Sequence, residues 1–463
     1  MNFFWSILWI PYLFVLGHLY NSRSTRAYAC GIVIVAGMTR LRLPITGSNE
    51  FYLMDAGILW LFFIMLSRVV IRKEQYRKGD KIIWGAVVFY YLFLALSLTF
   101  GEIEFPRWYS YVYDMIDYSL LFFIVYDSVR TERDTDIIIN SLIIAGAAMA
   151  IIGIGQFFFN DPSWGLLPGE SFDDRIIGFG GDYNDWGETW RVESTGSNPN
   201  AFGTVMTMVI PLVIYKAYSM GKLPFVRFSG LIILVSSLLF ALLITGARGA
   251  WIAGAVEGVA ILVFLFFMKR LKIKHVAIVF AGLALVTLFI AKNDYLHDVF
   301  FYRFGTISTG EKFVSKVKAG RLRKATLSLK GNFDLSLFVI GKGDVTTGNI
   351  NQPHNNYVGM FNTGGFWMLT AFVIITVRTV LRAFNGTKQL LGFCLFLSIL
   401  GYLITGLAYE NAVHIGPPII FWPIVGVLSG EGWNMISARL RGGRRFFALP
   451  IKHQRNISEA ERE

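Results

Sequence analysis

The chain has 463 residues, of which 54% are hydrophobic and 16% aromatic, while only 16% are charged. A water-soluble domain carries about 25% charged residues, which argues against a soluble enzyme, and the Phe, Ile and Leu content excludes disorder. Two cysteines, Cys30 and Cys394, are too few for a disulfide scaffold and lie in apolar stretches, while the net charge of +12 takes its meaning from where the basic residues fall.

A helix crossing the hydrocarbon core needs roughly 20 mostly apolar residues. Such stretches run 3–20, 27–39, 51–70, 82–100, 108–127, 136–159, 201–219, 226–245, 249–268, 275–291, 357–377, 388–408 and 414–430. They predict an all-α polytopic membrane protein of about 13 (12–14) transmembrane helices. The segment 27–39 is short and is followed at once by Arg40 and Arg42. The first stretch has no basic residue before it and no small-residue cleavage pattern after it, so it reads as retained.

Lys and Arg concentrate in alternate connections. One set holds Arg23 and Arg26, the run from Arg68 to Lys81, Arg130 and Arg133, Lys216 to Arg227, Lys269 to Lys274, Arg378 to Lys388, and the carboxyl tail. More than half of the 43 basic residues lie there, in short loops or the tail. The positive-inside rule makes that face cytoplasmic, with the amino terminus outside and the carboxyl terminus inside. Topology and anionic inner-leaflet lipid then account for the charge, and no nucleic acid is needed.

The expected blocks are therefore N-terminal transmembrane helices (1–159), an acidic outer loop (160–200), a central four-helix segment (201–291), a basic outer loop (292–356), C-terminal helices (357–430) and a solvated basic tail (431–463). Loops as long as the two outer ones are more often functional than idle. The first carries eight carboxylates against Arg175 and Arg191, with Trp164, Trp186 and Trp190 interleaved. The second is basic, with Lys316, Lys318, Arg321, Arg323, Lys324 and Lys330, and reads as partly helical.

Polar residues kept at membrane depth or at the outer boundary are costly and therefore informative. Arg248 sits in Thr245-Gly246-Ala247-Arg248-Gly249-Ala250, a tight turn between two apolar stretches. A snorkelling anchor would explain it. An anion site would too, since the glycines allow close backbone approach. Arg191 precedes Ser197-Asn198-Pro199-Asn200, where Asn198 or Asn200 can cap the next helix and Pro199 suits its first turn. Capping alone explains the motif, yet it also sets a helix amino terminus beside an arginine. His354 lies in Gln352-Pro353-His354-Asn355-Asn356-Tyr357 at the entry to a span, where an imidazole can accept a hydroxyl proton.

The intramembrane carboxylates Asp55, Asp114, Asp117 and Glu257 read mainly as partners for buried arginines, and Glu410 with His414 forms a weaker candidate pair. Gly341-Lys342 is not a Walker loop, and there is no HExxH or paired CxxC. Asp173, Asp174, Asp182 and Asp185 suit a solvated acidic loop better than a metal site, so no metal is expected.

Taken in order, these elements resemble the O-antigen ligase and Wzy-type polymerase superfamily of bacterial envelope glycosyltransferases. The matching pieces are Arg191 with Gly196-Ser197-Asn198-Pro199-Asn200, Thr245 to Trp251, Gly320-Arg321, Gly341-Lys342-Gly343-Asp344, and His354 to Tyr357 followed by Gly364-Gly365. The likeness covers the second half of the chain; the first five spans match only in hydropathy. It implies a GT-C-like helical fold in the bacterial inner membrane with its active site open to the periplasm. It also implies an undecaprenyl-diphosphate-linked glycan donor, a glycan or lipid-linked glycan acceptor, a chain-length regulator as a further partner, and no cofactor.

On that resemblance Arg191, Arg248 and Arg321 would hold the diphosphate and His354 would activate the acceptor hydroxyl. Arginine forks match phosphate oxygens, and a diphosphate leaves without a carboxylic acid to protonate it. Arg323, two residues on, is the alternative to Arg321 at the donor. Asn198, Asn200, Asn355, Tyr357, Trp186 and Trp190 are expected at the substrate, the tryptophans because aromatic faces stack on pyranose rings. Two sizeable outer loops favour a polymerase over a ligase that moves glycan onto lipid A–core. A lipid-glycan transporter is the competing class, disfavoured because no internal repeat is visible.

Overall fold

The computed structural model describes residues 2–37, 52–71, 79–100, 105–159, 192, 194–195, 198–219, 225–267, 292, 335–341, 355–386, 390–409, 411 and 416–441. Among them the chain is all-α. Its helices are α1 (Asn2–Asn21), α2 (Arg26–Gly37), α3 (Leu53–Val70), α4 (Lys81–Phe100), α5 (Phe105–Ser128), α6 (Glu132–Phe159) and α7 (Pro199–Ser219). These are followed by α8 (Phe225–Ile244), α9 (Arg248–Phe267), α10 (Leu335–Ile340), α11 (Asn356–Asn385), α12 (Leu390–Gly406), α13 (Pro417–Ser429) and α14 (Glu431–Arg441). Helices occupy each predicted stretch except 275–291, which lies outside the described residues.

Five of them, α3, α6, α7, α9 and α11, are long and apolar enough to cross a membrane. Exposed apolar faces agree with that: Phe63 of α3, Ile151 of α6 and Phe266 of α9 are each more than 60% exposed, as are Phe14 of α1 and Ile233 of α8. Bare apolar side chains suit lipid, where intrahelical hydrogen bonds already satisfy the backbone. This is a membrane protein.

The centre is α13. It has only 13 residues, every one of them buried, so it is a core helix and too short to be a lipid-exposed span. Its packing rests on small residues that admit a neighbour's backbone. A methyl on Gly426 would lie 3.0 Å from Val125 and 3.1 Å from the Phe122 carbonyl of α5. The same device joins α6 to α7, where Gly146 faces Val209. Further large interfaces pair α4 with α11, α7 with α12, and α2 with α6.

Buried ion pairs gather at the end of the bundle that carries the basic residues. Arg26, Arg68 and Arg130 all reach Asp127, at 3.5, 3.2 and 3.4 Å. Asp80 accepts from Arg378 and Arg382, both at 2.9 Å, and caps α4 through the Ile82 and Ile83 amides. Arg382 also donates to the Leu428 carbonyl and to Asn434 Oδ1, tying α11 to α13 and α14.

Three features depart from the sequence reading. Helix α11 extends to Asn385 and is broken inside, at Gly364 and at Gly365 with φ 70°. The turn after α10 is pressed into that break: a methyl on Gly341 would lie 2.6 Å from the Thr363 carbonyl and 2.7 Å from the Gly364 amide. At the break, the buried Thr363 carbonyl takes a hydrogen bond from Ser97 of α4. Second, the tail continues as α14, burying Trp433 against Gly386 and covering Ile436. Third, neither Asp55 nor Glu257 pairs with an arginine among the described residues, and the side chain of Asp114 lies outside them. Asp55 accepts from the Tyr52 amide at 2.7 Å and faces Asp117 across the α3–α5 seam. Glu257 is 1% exposed, and neither of its oxygens has a hydrogen-bond partner. The apolar runs identify helices but say nothing about which helices become neighbours.

Candidate functional site

The opposite end of the bundle is assembled from helix openings. At α7, Asn198 Oδ1 accepts from the Asn200 amide at 2.8 Å, its carbonyl accepts from Phe202, and Pro199 is the first helical residue. An amide cap with proline behind it is a strong start signal, and the sequence reading located it correctly in chain position. Just upstream, Ser194 is held on α6: its amide donates to Gln156 Oε1 at 2.9 Å and its hydroxyl to the Met149 carbonyl at 2.6 Å. Ser194 takes φ 53° to do so, and the adjacent Val192 is fully buried.

At α9 the opening is a closed hairpin. Thr245 Oγ1 donates to the Leu242 carbonyl and accepts from the Ala247 amide. Gly246 takes φ 60°, a left-handed turn that glycine adopts without strain. Trp251 Nε1 donates back to Leu242 at 3.0 Å. Arg248 emerges half-buried as the first residue of α9. A cation at a helix amino terminus opposes the helix dipole, by about 0.3–1 kcal/mol, so helix stability is not the reason for this arginine. An anion at that end would be favoured by dipole and guanidinium together.

At α11, Asn355 is the cap. Its Oδ1 accepts from the Tyr357 and Val358 amides at 3.0 and 3.1 Å, and its Nδ2 donates to the Leu407 carbonyl at 3.0 Å. Tyr357 donates to the Leu403 carbonyl at 3.4 Å. Asn198, Asn355 and Tyr357 thus each make hydrogen bonds that hold the protein together at this end.

These three openings meet at one turn, Leu407 to Asn411, between α12 and α13. A methyl on Gly203 of α7 would lie 2.7 Å from Ala250 Cβ and 3.3 Å from Ala247 Cβ, so α7 rests on the Arg248 hairpin. A methyl on Gly249 would lie 3.3 Å from Ala408 Cβ. One residue away, Leu407 receives Asn355. Gly406 packs on Asn356, and Thr204 of α7 donates to Asn411 at 3.2 Å. The neighbour of Arg248 and the neighbour of His354 therefore touch consecutive residues of one turn.

Of the predicted site residues, Arg248, Asn198, Asn200, Asn355 and Tyr357 are among those described, and the structure gathers them at this end. His354, Arg191, Arg321, Arg323, Trp186 and Trp190 lie outside the described residues. So do Asp173, Asp174, Asp182, Asp185, Glu410 and His414, and among the described residues no cluster of His, Cys, Asp or Glu could hold a metal ion.

No family model matches this chain, and no curated protein matches it.

The sequence reading missed Asn411, Thr204, Gln156 and Ser194. Asn411 is fully buried and Thr204 likewise. The signal for Asn411 in the sequence is weak: an amide in a short connection between two apolar stretches, beside Glu410. Gln156 was the only amide in the outer half of its span, which could have marked it.

Proposed function

We propose that this chain is a membrane glycosyltransferase that moves an oligosaccharide from a polyprenyl diphosphate to an acceptor sugar hydroxyl. The observation that carries the reading is the convergence of the α7, α9 and α11 openings on the Leu407–Asn411 turn. It brings the chain segments bearing Arg248 and His354 to adjacent residues of that turn.

In this reading Arg248, with Arg191 and Arg321, binds the diphosphate of the donor. Substitution at the anomeric carbon develops oxocarbenium character as the diphosphate departs. Guanidinium forks held in a site that excludes water stabilise the growing charge on the leaving oxygens. His354 accepts the acceptor's hydroxyl proton, so the new glycosidic bond forms as the anomeric carbon–phosphate oxygen bond breaks. Arg323, Trp186 and Trp190 contact the glycan. The cap residues Asn198 and Asn355 act by fixing the helix ends, with Asn200 and Tyr357 beside them.

The setting that fits is the bacterial inner membrane, with about 13 spans, the arginine-clamped end in the cytoplasm and the site facing the periplasm. The acidic and basic outer loops suit one glycan as donor and a second as acceptor, so the reaction read here is polymerisation of lipid-linked repeat units. The test is to give purified protein one lipid-linked repeat unit and no other acceptor. A ladder of longer lipid-linked products is expected. Product that forms only when lipid A–core is added would make the enzyme a ligase. No transfer, with movement of lipid-linked glycan across vesicles, would make it a transporter.

A further inference from the structure

We propose that Thr204 and Asn411 form a positioning joint that sets Arg248 against the α11 opening, a role that rests on the glycosyltransferase reading above. Asn411 is fully buried, in the connection between α12 and α13. Its amide is used in three directions. Nδ2 donates to the Tyr402 carbonyl at 2.9 Å and to Thr405 Oγ1 at 2.8 Å, while Oδ1 accepts at 3.2 Å from the Thr204 hydroxyl, which shares its proton with the Asn200 carbonyl at 2.9 Å. Two of these bonds fasten the turn to the end of α12. The third fastens it to the first turns of α7.

That third bond matters because of what the turn carries. Ala408 bears against Gly249, next to Arg248, and Leu407 accepts from Asn355, next to His354. Helix α7 in turn rests on Ala247 and Ala250 through Gly203, one residue before Thr204. The joint therefore closes a ring of contacts from α7 to the Arg248 hairpin, to the turn, and back to α7. The caps themselves do not depend on it: Asn198, Thr245 and Asn355 each close their own helix start. Releasing the joint should shift the openings relative to one another while leaving each helix formed. A displacement of about 1 Å between reacting groups can lower turnover by roughly a hundredfold.

Thr204→Val keeps the shape of the side chain and deletes the hydroxyl, whereas Thr204→Ser restores it. The full-length protein is reconstituted in lipid nanodiscs, and two readouts are taken. The first is disulfide formation between Gly249→Cys and Ala408→Cys, whose Cβ atoms would be about 3.3 Å apart and so close to disulfide geometry. The second is steady-state transfer from a polyprenyl-diphosphate-linked oligosaccharide, measured without those cysteines.

Crosslinking should be fast in the Thr204 background, slowed at least tenfold by Thr204→Val, and recovered by Thr204→Ser. In parallel kcat should fall between tenfold and a hundredfold in Thr204→Val with donor KM changed less than kcat, and Thr204→Ser should recover it. Asn411→Ala should reproduce the crosslinking defect if it folds, and the isosteric Thr204→Val decides the matter if it does not. Unchanged crosslinking in Thr204→Val overturns the joint whatever the activity. Slowed crosslinking with unchanged kcat overturns its positioning role. Slowed crosslinking in a protein whose parent transfers no glycan leaves the contact ring standing and rejects the glycosyltransferase reading instead.

Discussion

The two ends of the bundle are held by different physics. At the arginine-bearing end, a half-buried and a buried carboxylate collect guanidiniums: Asp127 takes three and Asp80 takes two. At the opposite end the described joints are neutral, made of asparagine amides, threonine hydroxyls and glycine contacts. Removing one member of a buried ion pair leaves a desolvated charge, whereas removing one neutral hydrogen bond costs about 1 kcal/mol. Stability should therefore be concentrated at the first end and activity at the second, and single substitutions can separate them.

The largest expected effect on stability follows at Asp80. Asp80→Ala removes the partner of Arg382 and the cap of α4 together, and should cost about 3–5 kcal/mol in thermal or denaturant unfolding. Most of this belongs to Arg382, because Arg378 is 39% exposed and regains water. Burial alone would raise the Asp80 carboxyl. Hydrogen bonds from the Ile83 amide, Arg382 and Arg378, with the charge of Arg382, instead hold it below the ordinary carboxylate value. A group whose folded value is depressed stabilises the fold above the unfolded value and loses that contribution as pH falls through the folded one. The clamp should thus be intact at neutral pH and weaken below about pH 4. A pH series in which Asp80→Asn shows the same acid sensitivity as the parent would remove Asp80 from this account.

At the other end, Arg248→Lys should leave unfolding almost unchanged while transfer falls by about 10²–10³-fold, because an ammonium cannot reproduce a two-pronged contact to phosphate. Measured together, unfolding and transfer test the comparison directly. A large stability loss with proportionate activity loss would mean that Arg248 belongs to the scaffold and not to the site.

A smaller loss is expected where the α10 turn enters the break in α11. Gly365 takes φ 70°, and any Cβ there would collide with the Val339 carbonyl and lie 2.7 Å from the Gly341 amide. Gly365→Ala should therefore cost about 1–3 kcal/mol, read from the unfolding midpoint. Gly258, whose surroundings are open, serves as the control, and Gly258→Ala should cost nothing.

How far the sequence predicts these features depends on their range. Helix positions are legible because an apolar run of membrane length is a local property, and the Asn198-Pro199 and Thr245-to-Trp251 starts are legible because capping is local too. The Gly364-Gly365 pair was visible as a motif, but the break and the turn that fills it depend on Gly341, which is distant in the chain. The Thr204–Asn411 joint was illegible for the same reason, since its partners are 207 residues apart. Arg26 and Arg68 were counted as loop charges, yet they are 1% and 2% exposed around Asp127. Composition identifies a charge without showing whether a neighbouring helix buries it.

Glu257 is the case in which neither end's rule applies. It lies between the two ends on α9, directed at Gly401 of α12 and close to Thr207 of α7, and any side chain at Gly401 would collide with its carboxyl. With no hydrogen-bond partner on either oxygen among the described residues, the seat they form supplies shape and nothing that specifically favours a charge. Glu257→Gln, which preserves that shape, should change stability by less than about 1 kcal/mol. Gly401→Ala should destabilise by overpacking, by about 1–3 kcal/mol, and Glu257→Ala in the same chain should relieve most of that loss. A double-mutant cycle measures the coupling. If the two effects simply add, Glu257 does not lie against Gly401, and the α9–α12 seam that carries Arg248 at its end is packed differently from the arrangement described.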